Sequence, residues 1–105
     1  FEIAFGGVMQ FQLASDVALQ FIDAAEQNSE GAPVFNLGTP PVSVDEVIAL
    51  IREIKPDAQI MRKEARLPFP ESFDDSALRA HVSRVYETPL AEGIHLTMEH
   101  FARLG

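Results

Sequence analysis

The chain has 105 residues, 47% of them apolar, which suffices for one compact unit but not for two independent cores. Its formal net charge of -8 comes from carboxylates scattered along the sequence and opposes binding to phosphate backbones or anionic lipid, so nucleic acid and membrane are not expected partners. Cysteine is absent, which excludes disulfides, thiolate metal sites and thiol nucleophiles in this segment, and no apolar run approaches the ~20 residues of a bilayer span.

The chain opens on Phe1-Glu2-Ile3-Ala4-Phe5 with no basic-then-apolar leader, which reads as the continuation of a longer protein, with the cytoplasm as default location. Apolar residues on either side of Gly6-Gly7 predict two short strands joined by a glycine turn, a strand pair ending near Leu13. Ser15 and Asp16 are candidate caps for a helix from about Val17 to Gln27. Its apolar face is Ala18, Phe21, Ile22 and Ala25, and Asn28-Ser29-Glu30-Gly31 ends it.

Ala32 to Leu37, bounded by Gly31 and Pro40-Pro41, predicts a buried strand. Ser43-Val44-Asp45-Glu46 is a capping box, with Val42 and Val47 placed to staple it. The helix that follows presents Val44, Val47, Ile48, Ile51 and Ile54 on one face and closes at Lys55-Pro56. Ala58 to Arg62 predicts a short strand, and the prolines of Leu67-Pro68-Phe69-Pro70 force an extended docking loop. Asp74 is placed to cap a short helix running through Leu78 to about Val82. Thr88-Pro89 supplies a cap and a first-turn proline for a last helix, Pro89 to Leu104, with Leu90, Ile94, Met98 and Phe101 on its apolar face.

Cofactor and acid-base chemistry are hard to place on these elements. A dinucleotide needs a glycine-rich turn entering a helix, but Gly6-Gly7 leads into another extended run. Asn36-Leu37-Gly38 leads to a helix whose first turn carries Asp45 and Glu46, which would repel a phosphate. Proton exchange through a phenol needs a Lys four residues after the Tyr; Tyr86 is the only tyrosine, position 90 is Leu, and Tyr86 reads as a packing residue with its hydroxyl at the surface. Glu92-x-x-His95, with Glu99-His100 nearby, is one metal-like pair on a face that otherwise reads as solvated, and His81 stands apart, so no metal is expected. Arg62, Lys63 and Arg66 form the one local cationic cluster. A guanidinium matches phosphate oxygens in a bidentate way, which makes Arg66 the best candidate for an anion contact, although such clusters also occur as plain surface.

The order of segments resembles the carboxy-terminal half of NAD-dependent epimerases and dehydratases of the extended short-chain dehydrogenase type. The likeness rests on Phe11-Gln12-Leu13-Ala14-Ser15-Asp16-Val17-Ala18, Val34-Phe35-Asn36-Leu37-Gly38, Ser43-Val44-Asp45-Glu46-Val47-Ile48, Asp74-Asp75-Ser76-Ala77-Leu78 and Thr88-Pro89-Leu90-Ala91-Glu92-Gly93-Ile94. It implies a fold that is the carboxy-terminal, substrate-binding part of a Rossmann-type α/β enzyme, with mixed short strands and about four helices, residues 1–105 forming a single fragment. It further implies that NAD or NADP and the Tyr-x-x-x-Lys pair belong to an amino-terminal Rossmann domain, so that no cofactor and no catalysis are expected of this fragment alone. The substrate would be a nucleotide-sugar, and homo-oligomers are possible for such a parent.

By the same resemblance the substrate-contacting candidates are Phe5, Gly6, Gly7, Gln12 and Arg66. The chain departs from the pattern at Arg66-Leu67-Pro68-Phe69-Pro70, where many sugar epimerases have paired arginines followed by Gly-Asp. It departs again at Val85-Tyr86-Glu87, where many have Gly-Trp. Two alternatives stand beside the substrate-binding reading: a stand-alone protein-binding or assembly module derived from the same fold, and a carbonyl reductase of the same family.

Overall fold

The computed structural model describes residues 1–28 and 30–105; Ser29, within the segment expected to end the first helix, lies outside the described residues. The elements run β1 (Glu2–Ile3), β2 (Val8–Met9), α1 (Ala14–Glu26), β3 (Val42–Ser43), α2 (Val44–Ile54), β4 (Met61–Arg62), α3 (Ser76–His81) and α4 (Leu90–Leu104). This is a mixed α/β arrangement with short strands and, among the described residues, four helices, as the sequence implied.

The opening strands do not pair with each other as expected. β1 runs parallel to β4, Glu2 opposite Met61 and Ile3 opposite Arg62, and the pairing continues to an isolated bridge between Gly6 and Arg66. β2 lies antiparallel to β3, Val8 opposite Ser43 and Met9 opposite Val42. The backbone changes partner at Gly7, whose φ of 89° lies in the left-handed region that glycine enters without a Cβ penalty. A tight hairpin would have folded β2 back onto β1; instead β2 leaves the turn to pair with β3.

The strand expected at Ala32–Leu37 is absent. This stretch has no regular structure, Val34 is 89% exposed, and the strand between the first two helices forms after the prolines, at Val42–Ser43. The run is apolar enough for a buried strand, but among the described residues no strand lies alongside to share its hydrogen bonds, and its main side-chain anchor is Phe35 stacked on His81 at 4.6 Å. The strand expected over Ala58–Arg62 is confined to its last two residues.

α2 is the element the sequence specified best. Ser43 Oγ accepts from the Glu46 amide at 3.1 Å, Val44 and Ile48 are buried, and Lys55 is the C-cap. At α3, Asp74 Oδ1 accepts from the Ser76 amide at 2.9 Å, and Leu78 is buried. α4 starts one residue later than expected. Pro89 is extended (φ -53°, ψ 141°) and is the N-cap, and the Thr88 amide is used elsewhere.

α1 inverts the expected polarity. It begins at Ala14, with Leu13 as N-cap, so Ser15 and Asp16 lie inside the first turn rather than capping it. The apolar positions expected to face the core look outward, Phe21 being 65% and Ile22 55% exposed with Ala18 and Ala25 also exposed, whereas Gln20 and Asp23 are buried. The reason lies in segment 83–88, which has no regular structure and needs partners for its backbone. Asp16 Oδ2 accepts from the Thr88 amide (2.7 Å), Gln20 accepts from the Tyr86 amide (2.8 Å) and donates to the Arg84 carbonyl (2.9 Å), and Asp23 accepts from the Ser83 amide (2.9 Å) and hydroxyl (2.6 Å). Positions 16, 20 and 23 share one helix face, so a single stripe of side chains acts as a strand edge for 83–88.

The molecule is a slab, 51 × 32 × 18 Å, with a radius of gyration of 16.0 Å. A compact chain of this length would be near ~13 Å. The buried apolar side chains are Val44, Ile48 and Leu78, and many large ones, Phe21, Ile22, Val34 and Phe101 among them, stay exposed. No helix among the described residues is long and apolar enough to cross a membrane.

Two outcomes follow for α1. Gln20→Ala strands a buried amide and a carbonyl together and lowers stability by about 2–3 kcal/mol, measured by urea unfolding. The Asp23 carboxyl is held below its ordinary 3.8, first by the Ser83 hydroxyl and against the opposing pull of burial. A depressed folded value means that its contribution is complete above the unfolded pKa and is lost as pH falls through the folded one, below about pH 4. Thermal melts recorded between about pH 6 and pH 2 should therefore fall more steeply for the natural chain than for Asp23→Asn.

Candidate functional site

Of the five residues singled out in the sequence, the fold brings Gly6, Gly7 and Arg66 together. The Gly6 amide donates to the Ala65 carbonyl at 2.9 Å, and the parallel bridge sets Arg66 directly beside the glycine pair. A Cβ on Gly6 would lie 2.7 Å from the Lys63 carbonyl oxygen, and one on Gly7 would lie 3.0 Å from Arg66 Cγ. The glycines therefore do two things: they let the 63–66 backbone close in, and they let the Arg66 stem lie across the turn. Gly6, Arg66, Val8, Met9, Phe69 and Glu71 are among the residues lining a cavity of about 170 Å³.

Phe5 is half-buried just before this corner. Gln12 is not part of it. Its side chain lines a separate, mostly apolar cavity of about 250 Å³ between α2 and α4, with Phe11, Val47, Ile51, Ile94 and Met98. Gln10, which the sequence did not single out, links the segment after β2 to two distant stretches, donating to the Thr39 carbonyl and accepting from the Phe73 amide at 3.1 Å. Alternation along an extended run gave no means of telling Gln10 from Gln12, because the backbone beyond Met9 has no sheet partner to fix the register.

The cationic cluster is largely neutralised. Arg62 forks onto Asp45 with bonds of 2.6 and 3.0 Å and approaches Glu64 at 3.3 Å. The Asp45 side-chain bond is the main reason that its guanidinium is held more firmly protonated than usual, and in return it lowers the Asp45 carboxyl. Lys63 stands 4.0 Å from Glu2. Arg66 Nη1 donates to Glu71 Oε1 at 3.0 Å, and both side chains are mainly solvent-facing. Arg62 is thus a clamp between β4 and the start of α2, and Arg66 is the cation left on the cavity wall.

The residues present do not fit a dinucleotide. Gly6-Gly7 runs into β2 rather than a helix, and the α2 amino terminus is already served by the Ser43 hydroxyl and flanked by Asp45 and Glu46. Tyr86 is half-buried with the Arg84 guanidinium 4.8 Å over its ring, and His95 faces Glu99 at 3.4 Å. These geometries serve packing and helix pairing.

No protein-family profile matches the chain. No curated protein matches it either. Among solved structures it is similar to an NAD-dependent NDP-hexosamine 5,6-dehydratase, TunA, involved in tunicamycin biosynthesis, with a TM-score of 0.72 and 23% identity over 91% of this chain. The fold is therefore that of a portion of this dehydratase structure. The chain spans 32% of the length of that structure.

Gly7→Ala should cost about 1–2 kcal/mol for the positive φ alone, and it should also push the Arg66 stem off the turn. Urea unfolding reads the first effect, and a changed Arg66 side-chain NMR resonance reads the second.

Proposed function

We propose that this chain is the carboxy-terminal, substrate-facing part of an NAD- or NADP-dependent enzyme acting on a nucleotide-linked sugar, and that a separate nucleotide-binding domain supplies the cofactor site and the acid-base pair. The observation that carries this reading is the unequal coverage: 91% of this chain follows a dehydratase fold, yet only 32% of that structure is used. The flat shape and the open apolar side chains support it, because both fit a piece whose other face is covered by a larger body.

In this reading the α1 face carrying Ala18, Phe21 and Ile22 packs against the nucleotide-binding domain. Residues 32–37 become a strand once a neighbouring strand accepts their hydrogen bonds, completing the parallel sheet. The Gly6-Gly7 corner faces the substrate, with Arg66 donating to a phosphate oxygen and the missing side chains leaving backbone within reach of the ligand. The choice between epimerisation, dehydration and carbonyl reduction then belongs to groups on the other domain, which hold the sugar against the nicotinamide.

Calorimetry with NAD and with UDP-glucose tests this assignment directly. No heat is expected with NAD and at most weak binding of the sugar nucleotide; tight NAD binding by the 105-residue chain would place the cofactor site here and overturn the reading. Hydrogen exchange gives an independent check: amides 32–37 should exchange far faster than those in the middle of α1, and protection there would mean that the segment needs no external strand.

A further inference from the structure

Glu71 occupies the guanidinium that the proposed substrate needs. Three features place it there. Arg66 is fixed at its backbone by the bridge to Gly6, and its stem lies over the Gly7 turn, which sets the guanidinium beside the corner. The loop from Leu67 to Pro70 contains Pro68 and Pro70, whose locked φ angles stiffen the short connection that returns the chain to Arg66. Glu71 Oε1 then sits 3.0 Å from Arg66 Nη1, on the wall of the same cavity that holds Gly6 and Phe69.

We infer that Glu71 is an internal competitor for Arg66: its carboxylate stands where an anionic oxygen of the ligand would bind, and ligand binding exchanges one for the other. This inference rests on the proposed role of Arg66 in anion binding and adds a regulating residue to that site. The exchange is feasible because the pair is mainly solvent-facing, and an exposed ion pair is worth only ~0.2–1 kcal/mol, which a doubly bonded phosphate contact exceeds.

The probe is inorganic pyrophosphate, titrated into the 105-residue chain while the Arg66 Nε–H resonance is followed by NMR. Glu71→Gln and Glu71→Asp are compared with the natural chain and with Arg66→Gln. Asp keeps the negative charge but is one methylene too short to reach, so it separates release of Arg66 from a general change in local charge. Both Glu71 variants should bind roughly two- to five-fold more tightly than the natural chain, the size of an exposed ion pair, and Arg66→Gln should lose binding. Equal affinity in all three Arg66-containing chains, or a gain in Glu71→Gln alone, overturns the competitor role while leaving Arg66 as the anion contact. Binding that survives Arg66→Gln, or no binding by any chain, overturns the anion-site reading and the competitor with it.

Discussion

The fold depends on an irregular segment without a sheet of its own. Residues 83–88 have amides and carbonyls to satisfy, and α1 satisfies them with side chains, Asp16, Gln20 and Asp23 taking the place of a neighbouring strand. This exchange sets the rotation of α1. Once those three positions face inward, Phe21 and Ile22 must face outward, since residues one or two apart on a helix cannot share a face. The same bonds fix the Thr88 amide and so define where α4 can begin. One stripe of polar side chains therefore decides both which face of α1 is open and how the last helix enters the slab.

The second constraint is the glycine corner. A side chain at Gly6 would collide with the Lys63 carbonyl, so the parallel pairing that begins at β1 and β4 extends to Arg66 only because position 6 has none. The positive φ at Gly7 then redirects the chain onto β3, leaving the Arg66 stem lying across the turn. Backbone economy at two residues thus brings the stem of one arginine across the turn and onto a cavity wall. Arg62, one residue type and four positions away, is unavailable for the same work because Asp45 and Glu64 hold it.

Most element positions were legible in the sequence, because capping and periodicity are local. Ser43 with Glu46 announced α2, and Asp74 announced α3. What failed was nonlocal. Asp16 has every attribute of a cap, yet its oxygen is spent on Thr88, 72 residues away. Ala32–Leu37 has the composition of a buried strand, but a strand is a property of a pair. The site was legible in the same uneven way. The resemblance singled out Gly6, Gly7 and Arg66, which meet at one corner, and also Gln12, which lines a different cavity; Gln10, which it did not single out, bonds the Thr39 carbonyl and the Phe73 amide. Glu71 left no trace in the sequence, since an acidic residue after Pro70 reads as ordinary surface.

The open apolar face bears on stability as much as on function. Fully covering one large aliphatic or aromatic side chain contributes about 1.5–3 kcal/mol, so covering the parts of Phe21, Ile22 and Val34 that remain exposed is worth roughly 3–6 kcal/mol before the cost of ordering residues 32–37. That is a sizeable part of the entire stability of a small domain. A chain whose buried apolar core is centred on Val44, Ile48 and Leu78 therefore leaves much of its apolar surface outside that core. The polar stripe on α1 makes this arrangement tolerable. By holding 83–88 with hydrogen bonds rather than with Phe21 and Ile22, the helix keeps its apolar side available for another body, and one element can serve the interior of this chain and an external surface at once.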